Sequence, residues 1–80
     1  MSDYINQLKT QLMAKLPDYK IMVKSPNVFA LVKDNKIYAI IKDQGDYVIV
    51  TIAGKDYKYD KWYTKPGHLT TVLVNYLKGK

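Results

Sequence analysis

One histidine, His68, and two serines, Ser2 and Ser25, form a thin stock for a nucleophile and base, and the chain has no cysteine. A hydrolytic triad needs a nucleophile, a base and an orienting group brought together. His68 falls in the first turn of a predicted helix, where a surface histidine is the plainer expectation. Asp43 and Asp46 flank Gly45 like a short oxygen-ligand loop, yet the longer calcium loop ends on a glutamate and this chain has none. Turn chemistry accounts for them. Asp56 and Asp60 share a strand parity but alternate with Lys55, Lys58 and Lys61, a pattern of surface ion pairing rather than a carboxylate pair. The glycines stand singly at turns or ends, so no phosphate-cradling loop is present. No catalytic residue, metal site or cofactor is expected, and the chain reads as non-enzymatic.

The densest signal is the stretch 55–65, where Tyr57, Tyr59, Trp62 and Tyr63 interleave with lysines. Rings stack on unpaired bases while cations follow phosphates, so this interleaving points to nucleic acid. The charge balance agrees: 13 basic against 7 acidic residues give +6 on 80 residues, enough to attract a polyanion. Every base is lysine and every acid aspartate. Without arginine, bidentate reading of guanine loses its usual instrument, so low sequence selectivity is expected.

The elements that must position these residues follow from periodicity. Ile5, Leu8, Leu12 and Leu16 recur at helical spacing, with Tyr4 and Met13 widening the stripe, Ser2 or Asp3 to cap the start and Pro17 to stop it. From Tyr19 the period changes to two, and apolar runs recur at intervals broken by turn residues, which predicts strands over 19–24, 28–33, 36–42, 47–53 and 56–60. Pro66 opens a second helical pattern through Leu69, Val72, Leu73, Tyr76 and Leu77, although its β-branched run leaves a sixth strand as the alternative. The fold class is therefore α+β in one domain over residues 1–80: an antiparallel five-stranded meander sheet with an N-terminal and a C-terminal helix. A small curled barrel with flanking helices is the architectural alternative.

Short hairpins fix which side chains share a face. Two-residue loops at Pro26-Asn27, Asp34-Asn35, Gln44-Gly45 and Gly54-Lys55 would gather Tyr19, Ile21, Val23, Val28, Ala30, Val32, Ile37, Ala39, Ile41, Val48, Val50, Ile52, Tyr57 and Tyr59 on an uncharged core face. The other face would show Phe29, Tyr38 and Tyr47 as platforms, with Met22, Leu31, Ile40 and Ile49 between them and Lys20, Lys33, Lys36, Lys42 and Lys58 around them; burial of this face under one of the helices or against a second subunit, with the lysines as a solvated rim, is the competing expectation. Trp62 and Tyr63 join this nucleic-acid-binding set as free aromatics near the sheet edge. Capping of the core by Trp62 beneath the second helix is the competing expectation.

Two functions follow. The first is a basic protein that binds DNA or RNA through the lysine and aromatic face. The second is a homodimeric protein-interaction or inhibitor module of the kind a phage or other mobile element directs at a host protein. The apolar runs are far shorter than the roughly 20 residues a bilayer span needs, and no leader-like run follows the N-terminus. No membrane association and a cytoplasmic location are expected.

Overall fold

The helical spacing at the N-terminus produces α1 over Asp3–Lys15, and the computed structural model describes residues 3–78 of the chain. Ile5, Leu8 and Leu12 are buried along one stripe, and Leu16 continues it by donating its N–H to the Leu12 carbonyl before Pro17 ends the turn. Met13 does not belong to that stripe: it is 61% exposed. Five strands follow, β1 (Lys20–Ser25), β2 (Val28–Lys33), β3 (Lys36–Asp43), β4 (Tyr47–Ile52) and β5 (Lys55–Asp60). They form one antiparallel sheet in the order β1-β2-β3-β4-β5, so β1 and β5 are open edges and the sheet does not close into a barrel.

The last described element is α2, Pro66–Lys78, which settles the choice between helix and sixth strand. Its β-branched run is accommodated because Thr70 and Thr71 turn their hydroxyls back onto the carbonyls of Pro66 and Gly67. That bond allows Thr70 to sit 2% exposed in the core.

Both helices lie on the same face of the sheet. Leu8, Leu12 and Leu16 from the first helical segment and Leu69 and Leu73 from α2 form a single cluster with Phe29, Leu31, Ala39, Ile41, Val48, Val50 and Ile52. Fully burying a leucine or phenylalanine contributes about 1.5–3 kcal/mol, so this layer is the main source of stability in a chain without disulfides. Among the described residues, no helix covers the opposite face.

The strand faces differ from the two-residue-loop expectation in β2. Two bulges are responsible. The β1–β2 register passes from Val23↔Phe29 to Ser25↔Val28, leaving Lys24 extra, and the β2–β3 register passes from Leu31↔Ala39 to Val32↔Ile37, leaving Tyr38 extra. Each inserted residue shifts the alternation by one. Phe29 and Leu31 therefore point to the helices, at 1% exposure each, and Val28, Ala30 and Val32 point away. Ile37 likewise moves to the uncovered face, opposite Val32. The turns at 44–47 and 52–55 differ from expectation by whole pairs, so β4 and β5 keep the expected faces.

Candidate nucleic-acid interface

Directly paired residues share a face, so the ladder defines rows across the uncovered side. One row runs Ser25, Val28, Lys42, Ile49, Lys58, and the next runs Met22, Ala30, Ile40, Thr51, Asp56. Lys20, Val32 and Ile37 make a third row at one end, and Tyr47 with Asp60 stands at the other. The centre is apolar, with Ala30 fully buried between Met22 and Ile40.

Three lysines rise from this face. Lys42 stands between Val28 and Ile49, and Lys58 stands two strands away on β5, about 10 Å off by ordinary strand spacing. Lys20 stands at the β1 edge. The ammonium of Lys58 lies 4.1 Å from the centroid of the Tyr47 ring, a cation–π contact that holds cation and ring together. The acids of the face are engaged locally: Asp56 accepts the Thr51 hydroxyl at 2.6 Å and Asp60 accepts the Trp62 N–H at 2.7 Å. Among the described residues, no carboxylate pairs with Lys20, Lys42 or Lys58.

Of the ten residues singled out from the sequence, Lys20, Lys42, Tyr47 and Lys58 share this face, with Lys42, Tyr47 and Lys58 toward one end and Lys20 at the other on β1. Phe29 is not a platform but a core residue, because the bulges on either side of β2 turn it inward. Lys33 and Lys36 are paired with each other at the Asp34-Asn35 turn and follow the helix-side alternation of Phe29 and Leu31. Lys33 places its ammonium 5.4 Å from the Tyr19 ring. Tyr38, displaced by its bulge, sets its ring edge-on to Tyr19 at 5.4 Å, and Tyr19 packs against the core. These three belong to the far end of the helix side, beside a cleft of about 340 Å³ that Tyr19, Lys33 and Leu77 help to line.

Trp62 and Tyr63 lie in the loop between β5 and α2 and are 77% and 83% exposed. Trp62 therefore does not cap the core. The core beneath that loop is closed instead by Tyr4, whose hydroxyl donates to the Thr64 carbonyl. Burial, with the Asp43 carboxylate nearby, pushes the Tyr4 hydroxyl up to about 12, so it stays a neutral donor at ordinary pH. Sequence reasoning missed the Asp43–Lys61 ion pair, which joins the β3–β4 turn to the loop. Its partners stand 18 residues apart and carry no local signature. His68, at the start of α2, is exposed.

Comparison with family models, with curated proteins and with solved structures gave no match. No helix among the described residues is long and apolar enough to cross a membrane.

Proposed function

We propose that this chain is a small non-enzymatic binding protein that contacts nucleic acid with low sequence selectivity through the uncovered sheet face. The observation that carries the reading is the set Lys20, Lys42 and Lys58 on a face no helix covers, without carboxylate partners among the described residues and with Tyr47 held beneath Lys58. Lysines project as flexible point charges and follow phosphates without demanding a base, which suits a chain lacking arginine.

Titration of a labelled oligonucleotide at several salt concentrations tests this. Neutralising three phosphates of a single strand releases counterions and gives a log–log slope of affinity against salt near about −2. Lys42→Ala should flatten that slope by about 0.7. Absence of binding at low salt, or binding indifferent to salt, overturns the reading.

A second reading rests on the apolar part of the same face, where Met22 and Ile37 are 43% and 48% exposed and Val28, Val32, Ile40 and Ile49 are half-buried. Uncovered apolar area of this kind suits protein docking, by a second copy or by a host protein. Mass in solution separates the two. A stable dimer that buries Ile40 and Ile49 would remove Lys42 from any nucleic acid.

A further inference from the structure

The loop between β5 and α2 is fastened on every side and yet turns its two largest side chains outward. Lys61 pairs with Asp43, side chains 17% and 5% exposed, and donates its backbone N–H to the Asp46 carbonyl at 3.1 Å. Asp60 receives the Trp62 N–H on its side chain at 2.7 Å and the Thr64 N–H on its carbonyl at 2.8 Å. The Tyr4 hydroxyl bonds the Thr64 carbonyl from α1. Against this fixed backbone the only tryptophan of the chain is left 77% exposed and its neighbour Tyr63 83% exposed. A ring displayed on an ordered backbone loses little further freedom on binding.

We propose that Trp62 and Tyr63 are stacking platforms for unpaired bases, so that the bound nucleic acid is single-stranded. This rests on the nucleic-acid reading above and adds to it the strand state and the residues that select it. Bases within a duplex are already stacked on their neighbours, whereas each unpaired base offers a free π-face of any sequence. The surroundings of the rings favour this partner over a protein. Interfacial tryptophans and tyrosines that anchor proteins are ringed by contacts that exclude water. Here the Trp62 ring has a cation beside it: the Lys65 ammonium lies 5.4 Å from its centroid. The loop starts where the working face ends, since Tyr47 pairs with Asp60, two residues before Trp62. A strand whose phosphates meet Lys42 and Lys58 reaches the loop from that end of the sheet. Lys61, Asp43 and Tyr4 act as positioning residues, holding the rings in place without touching the strand.

The single tryptophan supplies the readout. A fluorescein-labelled oligothymidylate of about 15 nucleotides, a length within the usual range of strand site sizes, is titrated with the protein at low salt. Anisotropy of the label reports binding, and Trp62 emission reports stacking. Quenching of Trp62 in step with the anisotropy is expected, together with a duplex of the same length bound more weakly and without quenching. Trp62→Ala and Tyr63→Ala, both at exposed positions, should each weaken single-strand binding at least about fivefold. Binding that leaves Trp62 emission unchanged and is unaffected by Trp62→Ala overturns the stacking proposal while the nucleic-acid reading stands. Absence of any anisotropy change with either strand overturns both.

Discussion

Ala53 holds φ at 54° in the turn joining β4 to β5, where the following Gly54 has φ 80°. A left-handed conformation brings Cβ close to the following carbonyl oxygen and costs an ordinary residue about 1–2 kcal/mol. The equivalent turn between β2 and β3 avoids this by using Asp34 and Asn35, at φ 53° and 65°, whose short polar side chains tolerate the region. Ala53→Asn should therefore stabilise the protein by about 0.5–1 kcal/mol, read as a rise in melting temperature of about 2–8 °C. A fall would mean that the turn is held by something other than its own backbone preference. Residue type alone made Asp34-Asn35 legible as a tight turn. It did not reveal the fate of Trp62, because an indole serves equally as a core cap or as a displayed ring, and the choice was made by Tyr4 filling the space beneath Thr64.

At the scale of elements, the periodicities of 3.6 and two were enough to place α1, α2 and all five strands near their observed bounds. The faces of β1, β4 and β5 were legible for the same reason. That of β2 was not, because Lys24 and Tyr38 each add one residue to a neighbouring strand and no local signal marks either insertion. A clue lay in side-chain size: Phe29 and Leu31 offer far more apolar area to a core than Val28 and Ala30 do, and burial selects the larger pair. The consequence is testable. Phe29→Ala should cost about 3–5 kcal/mol, a large share of the stability of a domain this small, and lower the denaturation midpoint accordingly. A nearly neutral effect on stability would return Phe29 to the surface.

Taken whole, the molecule is a two-layer body whose helices protect one side of a sheet and leave the other bare. Its open edges are guarded by charge: Lys20 and Lys24 stand on β1, which also carries a bulge, and lysine and aspartate recur along β5. Such edges discourage strand-to-strand association, which leaves the face rather than the edge as the surface for a partner. The register thus fixes where particular lysines stand, with Lys42 and Lys58 set among Val28, Ile49 and Tyr47. Composition had announced the charge, and only the register could say which lysines stand together. Backbone amide shifts, followed by NMR while an oligothymidylate is added, would locate the contact directly. The account predicts perturbation along Lys42, Tyr47, Ile49 and Lys58 and through the loop at Trp62 and Tyr63, with α1 and α2 unmoved. Perturbation centred on the outer surfaces of the helices, with the sheet face silent, would contradict it.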